Sequence, residues 1–380
     1  MTETVVPHLG ELGRCRSTAE LEAHPLYRSL EPDLQRILET PQTGGFAAGA
    51  APARPRYRLV SWNIERGIRL DGQIDALRSH SYLKTADVIL LMETDVGMAR
   101  SGNRAVAQEL ARALGMYYVF VPAYLNLTNG SGLERQIRGE NSVGRQGNAV
   151  LSRYPIGAVS RIPLRNGIDK MASPEKRIGC LAALAGAIEF PNFRLTVLST
   201  HLDAQSSQRH RRDQMRDILD GVPPGGPVLL GGDWNTTTYD SSRALWAILG
   251  FWLRVLMGVD HVIRNHYVHP YNRFEKELFD LLEARGFDYR DSNLPGEHTI
   301  CYDQRDPRTY AALRDWVPHW CFPFIHWSVR RHGGRCPFKI DWFASRGLRC
   351  ENPVVIHDLR EGRAAPLSDH DPIGVEVVVP

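Results

Sequence analysis

The chain of 380 residues carries 46 basic and 43 acidic side chains, for a net charge of +3, and is 43% hydrophobic and 23% charged. These proportions exclude a largely disordered chain, and so small an excess of positive charge does not by itself mark a nucleic-acid binder, though it leaves room for an anionic substrate. The length allows two domains or one large α/β unit. Residues 1–30 lack the charged start, continuous apolar core and small-residue cleavage site of a secretory signal, so a cytoplasmic location is expected. Residues 18–40, "TAELEAHPLYRSLEPDLQRILET", have helical spacing with Thr18 as the expected cap, and 41–56, rich in Gly, Ala and Pro, read as a linker. Residues 1–56 should therefore form a helical extension and linker, with the main domain spanning 57–380.

From Tyr57 onward strand-like apolar runs recur: "YRLVSW", "ADVILLME", "MYYVFV", "GNAVLS", "FRLTVLST", "GPVLLGG", "FKIDWFAS" and "GVEVVV". Helical patterns lie between some of them, including "NRAVAQELARALG" and "SSQRHRRDQMRDILD". Strands outnumber helices, which predicts packed sheets covered by helices rather than a simple doubly wound sheet. No run is long enough to span a membrane. The cysteines at 15, 180, 301, 321, 336 and 350 show no C-x-x-C spacing and are expected to be reduced. The Cys/His-rich stretch from Cys301 to Cys336 fits no common structural-zinc spacing and is assigned to packing.

Several strands run straight into polar residues. "VLLGGDWN" ends in Asp233 and Asn235, which alternation projects to one side, and Gly231 and Gly232 leave space beside them. "VSWNIERG" supplies Asn63 and Glu65, "ILLMETD" supplies Glu93, and "VLSTHLD" supplies His201 and Asp203. Asp341 sits inside "KIDWFAS", while "LSDHDPI" places Asp369 and His370 before the last strand. Each is an ordinary turn, cap or surface residue when taken alone. If the strands are neighbours, however, their ends bring carboxylates, amides and two imidazoles to one rim, where desolvation and repulsion are costly without a cation or an anionic ligand.

The ordered elements Trp62 to Glu65, Glu93, Thr200 to Leu202, Gly232 to Asn235, Ile340 to Asp341 and Ser368 to His370 resemble the endonuclease/exonuclease/phosphatase superfamily of metal-dependent phosphohydrolases. The resemblance covers about residues 57–240 and 336–380. It implies a four-layer α/β sandwich in which two mixed β-sheets pack face to face with helices outside. It also implies Glu93 as the leading metal ligand, Glu65 and Asp369 as ligands directly or through water, and Asn63 as the group holding Glu93 or the phosphate. Glu65 is one methylene longer than the Asp often found at its position. Oxygen ligands with retained waters suit Mg²⁺, with Mn²⁺ able to substitute.

The same resemblance implies in-line attack by water with no covalent intermediate. Asp233 orients or deprotonates the water, and Asn235 binds water or a phosphate oxygen. His370 contacts the phosphoryl oxygen or shares the base role, Asp341 orients and charges His370, and His201 stabilises developing charge or helps the leaving group. Asn148, in "RQGNAVLS", is expected to hydrogen-bond within the rim. The leading function is thus a phosphodiesterase. A nuclease, a sphingomyelinase-like lipid phosphodiesterase and a catalytically silent binding protein on the same fold are the alternatives.

Nucleic acid remains an open partner, a membrane surface is the less favoured one, and no protein partner is implied. A nuclease needs a basic groove, but "SQRHRRDQMRD" and "SVRRHGGR" read first as solvated faces. Residues 240–335 exceed what the resemblance requires. Within them "LWAILGFWLRVLMGV" reads as a buried helix in preference to an interfacial surface, while Trp316, Trp320 and Trp327 are candidates for selecting an apolar or aromatic leaving group.

Overall fold

Aliphatic runs without alternation belong to strands covered on both faces, and several of the runs above are of that kind. The computed structural model describes residues 2–49, 51–314, 317–363 and 365–379. In chain order its strands begin with β1 (Gln42–Gly45), β2 (Arg56–Asn63), β3 (Val88–Val96), β4 (Tyr117–Asn126), β5 (Arg145–Ser152), β6 (Ile156–Pro163) and β7 (Arg177–Gly179). Next come β8 (Ala182–Glu189), β9 (Arg194–His201), β10 (Val228–Asp233), β11 (Ile300–Asp303), β12 (Arg335–Phe338), β13 (Asp341–Arg346), β14 (Arg349–Val355) and β15 (Ile373–Val378). One sheet has the order β1-β4-β5-β3-β2-β15-β14, with β7 joined to β4, and the other runs β13-β10-β9-β8-β6. Both are mixed: β2 with β3 and β9 with β10 are parallel, whereas β15 with β2 and β10 with β13 are antiparallel.

The sheets face each other through Leu59, Leu90, Val121, Leu184, Val197 and Leu229, all fully buried. Helices Leu70–Ser79 and Val106–Leu114 cover the outside of the first sheet through Leu77 and Leu110. Helices Gln208–Asp220 and Lys276–Ala284 cover the second through Met215, Ile218, Leu278 and Phe279. This is the expected four-layer sandwich. Among the polar ties that cross between the sheets, Ser199 Oγ donates to Leu91 O at 3.0 Å, and Asn148 Nδ2 donates to Ala182 O at 2.9 Å and Ser199 O at 3.3 Å.

The N-terminal region departs from the sequence reading in three ways. Ser17, not Thr18, caps the first helix of the 18–40 stretch, its Oγ accepting from Glu20 N at 3.1 Å, while the Thr18 hydroxyl donates to Asp169 Oδ1 at 2.6 Å. Pro25 excludes helical geometry at the preceding residue, so His24 sits at φ −71°, ψ 127° and the stretch splits into Thr18–Ala23 and Pro25–Glu39. Finally, residues 42–45 are not linker. They pair with β4 as an edge strand, a ladder made by backbone groups that composition does not reveal, and a Cβ at Gly44 would lie 2.6 Å from Tyr118 Cε1. Leu12, Leu30 and Leu34 pack with Leu125 and Ile178, so the extension shares a core with the sheet.

Residues 240–335 are likewise only partly an insertion, since Lys276–Ala284 belongs to the helical layer over the second sheet. The helix Ala244–Met257 overturns the preferred reading of a buried element. Of its 14 residues only Arg254 is buried.

If the extension is an integral layer, Leu34→Ala, at a side chain 1% exposed, will lower the unfolding free energy by about 2–5 kcal/mol. Urea denaturation followed by circular dichroism measures this. Unchanged stability would assign the extension to a detachable role.

Candidate active site

Strand register sets the centre of the site. Asp233, the last residue of β10, is level with His201 on β9 and with Asp341 on β13, so these three side-chain positions form one row across the second sheet. On the first sheet Asn63 ends β2 level with Met92 on β3, one residue before Glu93. The β3–β5 register shifts between Leu91 and Thr94, and this bulge holds Glu93 at φ +55°. Glu65, Arg66 and Asn235 also have positive φ, at 47°, 65° and 48°. Left-handed backbone at non-glycine residues costs on the order of 1–3 kcal/mol each, so the surrounding packing and hydrogen bonds must enforce it.

Those bonds are present. Asn63 Oδ1 accepts from Glu65 N at 3.2 Å, and Asn235 is fixed by its N donating to Asp233 Oδ1 at 2.9 Å and its Nδ2 donating to Leu202 O at 2.9 Å. The loop before β15 is tied to β2 where Ser368 Oγ donates to Asn63 O at 2.6 Å and Trp62 Nε1 donates to His370 O at 3.1 Å.

Asp233 Oδ2 is the hub. Asn63 Nδ2 donates to it at 3.1 Å, His201 Nε2 lies at 3.5 Å and His370 Nε2 at 3.7 Å. Burial pushes the Asp233 carboxyl up to about 6, with His370 and His201 opposing. His370 Nδ1 is 2.9 Å from Asp341 Oδ2. Burial alone would lower His370, but the carboxylates of Asp341, Asp369 and Asp233 outweigh it and hold the ring well above its ordinary value. The ring therefore favours the imidazolium form, beside an Asp233 carboxyl whose hold on a proton is strengthened by burial.

Glu93 and Glu65 lie in opposite fields. Burial raises Glu93, yet Arg66, whose Nε lies 3.6 Å from Glu93 Oε2, together with His201 and His370 brings it down to about 2. Arg66 is in turn held by Glu134, and Glu134 by the buried Arg100, which also pairs with Asp95 and Glu175. Glu65 is pushed up to about 8 by burial and by Asp369, against the partial relief of Arg308 at 3.7 Å. Its Oε2 is buried with no hydrogen-bond partner. An orphaned carboxylate oxygen crowded by two further carboxylates is an arrangement that a hard divalent cation would relieve, so Glu65, Glu93 and Asp369 fit such an ion. Among the described residues, ligand-type atoms lie within 4.8 Å of one another in Asp233, Asp341 and His370 and in Glu297, His298 and His357, whereas Glu65, Glu93 and Asp369 are not drawn that close.

Glu65, Glu93, His201, Asp233, Asn235, Asp369 and His370 line a single cleft of about 1330 Å³. Asn63 and Asp341 stand directly behind it, bonded to Asp233 and His370. Asn148 does not join them: its amide spans the two sheets, because the residue sits on a buried face of β5 instead of at a strand end. Trp320 lines the cleft, Trp327 borders a shallower neighbouring hollow, and Trp316 lies outside the described residues. Sequence reading misses Arg66, although it directly follows Glu65, and Arg308, whose segment reads for its Cys/His content and its aromatics. It also misses Lys339, 1% exposed, whose Nζ has no hydrogen-bond partner and lies 4.7 Å from the Trp342 ring.

A model of the endonuclease/exonuclease/phosphatase family matches residues 60–370. A protein of that description from Beutenbergia cavernae DSM 12333 is similar in structure, with TM-score 0.51 and 16% identity over 86% of this chain and 72% of its own. An AP endonuclease from Archaeoglobus fulgidus aligns at TM-score 0.47 and 17% identity, covering 84% of this chain and 98% of its own. The 3′ phosphatase NExo from Neisseria aligns at 0.47 and 14%, covering 85% and 100%. No curated protein matches the sequence.

Lys339 gives a test of the electrostatics behind the site. Burial lowers its ammonium from 10.5 to about 8. Below pH 8 the charge is present in both folded and unfolded chains, so its burial penalty is fully felt; between about 8 and 10.5 the folded chain sheds the proton first and the penalty fades. Lys339→Met is expected to raise stability at pH 7 by on the order of 3 kcal/mol, with the gain shrinking as pH rises toward 10.5. Thermal denaturation across that range checks it, and a variant less stable than wild type at pH 7 would mean the ammonium has a partner.

Proposed function

The chain belongs to the endonuclease/exonuclease/phosphatase family, and from that premise we propose that it is a Mg²⁺-dependent phosphodiester hydrolase acting by in-line attack of water. The observation that carries this reading is the Asp233 carboxylate, held by Asn63 between two imidazoles and beside the crowded carboxylates of Glu65, Glu93 and Asp369 in one cleft. Glu93, Glu65 and Asp369 are the residues that would hold the cation. Bound there, it would neutralise charge on the phosphoryl and leaving oxygens.

The remaining chemistry belongs to the chain. Asp233 accepts a proton from the attacking water, a role supported by burial, which raises its carboxyl and makes it more basic than an ordinary carboxylate. Asn235, fixed by its two hydrogen bonds, turns its remaining polar capacity toward the cleft to orient the water or a phosphate oxygen. His370, kept cationic by Asp341, meets the negative charge growing on the phosphoryl group, and its protonated state disfavours a share in the base role. His201, facing both Glu93 and Asp233, is assigned to the leaving oxygen. The arginines of "SQRHRRDQMRD" give a nuclease reading little support. Three of the four are paired, Arg211 with Glu275, Arg212 with Asp213 and Glu277, and Arg216 with Asp213, which leaves the exposed Arg209.

Hydrolysis of bis(p-nitrophenyl) phosphate is expected to require added Mg²⁺ or Mn²⁺ and to stop with a chelator. Glu93→Ala, Asp233→Ala and His370→Ala should each lower the rate by at least about a hundredfold, with unchanged circular dichroism. Turnover at the wild-type rate in His370→Ala would overturn the role given to that residue.

A further inference from the structure

A helix that is apolar all round is ordinarily buried, yet Ala244–Met257 lies on the surface. Leu245, Trp246, Leu249, Leu253 and Leu256 are 45–84% exposed. At roughly 100° per residue these positions fall within an arc of about 100°. The opposite side of the same helix, through Ala247, Ile248, Phe251, Trp252 and Val255, lines the active-site cleft. The helix is therefore a thin wall, apolar toward solvent and apolar toward the cavity. Arg254 anchors it, its guanidinium donating to Thr238 O and lying 4.2 Å from the rings of Tyr239 and Phe274.

A second helix, Phe322–Val329, extends this surface. Phe324 meets Trp252 edge-on with centroids 5.4 Å apart, and Trp320, Phe324 and Trp327 are 42–61% exposed. Among the described residues, the exposed large apolar side chains outside these two segments are Ile68 and Leu133, and both line the same cleft. The apolar surface is thus continuous with a cavity whose far end holds Glu93, Asp233 and His370. That cavity, at about 1330 Å³, exceeds the roughly 300–1,000 Å³ of sites for drug-sized ligands. Arg243, directly before the first helix, and Arg330 and Arg331, directly after the second, are exposed, flanking cations suited to anionic headgroups.

Resting on the hydrolase reading above, we propose that the substrate is an amphiphile, a phosphodiester carrying a long apolar chain, taken from an anionic lipid surface on which the exposed stripe docks. The phosphodiester reaches the carboxylate end of the cleft while its chain lies along Ile248, Phe251, Trp252 and Val255. Water adds to phosphorus, the opposite ester P–O bond breaks, and a phosphomonoester and an alcohol result, with one water consumed. A protein cover over the stripe would explain the outer face alone; a lipid explains both faces and their continuity with the reacting groups. The helix lies on the bilayer instead of crossing it. Fourteen residues reach only about 21 Å of the roughly 30 Å hydrocarbon thickness, and the next helical segment turns away by 103°.

The test uses the full chain with Mg²⁺, vesicles of phosphatidylcholine and phosphatidylserine in equal amounts, and two chromogenic diesters, p-nitrophenyl methyl phosphate in solution and p-nitrophenyl hexadecyl phosphate carried in the vesicles. Wild type is expected to sediment with the vesicles and to cleave the hexadecyl diester with kcat/KM roughly a hundredfold above the methyl one. Leu249→Glu combined with Leu256→Glu, at positions that do not line the cleft and are 51% and 84% exposed, should bind vesicles roughly tenfold more weakly or worse. It should also lose the long-chain advantage and cleave the methyl diester as wild type does, with an unchanged melting temperature. Wild type left in the supernatant while methyl cleavage is intact overturns the lipid proposal alone. So does indifference to chain length, or a wild-type dimer in sedimentation velocity that the double variant dissociates, since a second copy would then cover the stripe. Vesicle binding without cleavage of either diester overturns the hydrolase reading, and the substrate assignment with it, but leaves the docking surface supported.

Discussion

Crowded negative charge at the meeting ends of two sheets is the constraint from which the rest of the site follows. Asp233 and Asp341 are buried, Glu65 and Glu93 half-buried, and the exposed Asp369 stands on the same cleft, so water screens their mutual repulsion only in part. Every surrounding feature offsets that charge or distributes it. Arg66 and the buried Arg100 chain through Glu134 neutralise the side occupied by Glu93, and His370 takes a proton between Asp341 and Asp233. Arg308 reaches in from the segment before β12 toward Glu65 but stays at 3.7 Å. Glu65 is the place where compensation by the protein stops, and a divalent cation is the natural remainder.

The backbone bears part of the same load. Sheets are stiff, so a strand end points its side chains where the pleat dictates, and five acidic groups cannot all be aimed by regular strands alone. The bulge at Glu93 and the left-handed turns at Glu65, Arg66 and Asn235 re-aim side chains locally without disturbing the hydrogen-bonded ladders on either side. The inter-sheet ties of Ser199 and Asn148 sit just below, holding the two sets of strand ends in register with each other. Asn148, expected at the rim, thus ties one sheet to the other instead.

Much of this was legible because strand alternation and ordered motifs are local signals. The pairs Asn63 with Glu65 and Asp233 with Asn235, two residues apart at strand ends, announced the rim, and the order of elements announced the sandwich. What escaped was set by partners distant in sequence. The edge strand at 42–45 depends on backbone pairing with β4, and the charge on His370 on carboxylates of β10 and β13 as well as its own neighbour Asp369. Lys339 sits beside the Ile-Asp motif, yet nothing in its neighbours along the chain signals that it is buried without a partner.

The helix Ala244–Met257 was misjudged for a more instructive reason. Hydrophobicity reports the preference of a side chain for leaving water, and a one-dimensional reading supplies the commonest destination, the protein's own core. Here one side of the helix faces a cavity and the other faces outward, so neither side is buried by the fold, and Arg254 is the residue that is. The inversion is physically coherent only if apolar matter from outside completes the packing. A polar phosphodiester could be recognised by the strand ends without any such wall. The wall adds an apolar half to a cleft whose other half is charged, and that division is the ground on which the amphiphilic substrate is proposed.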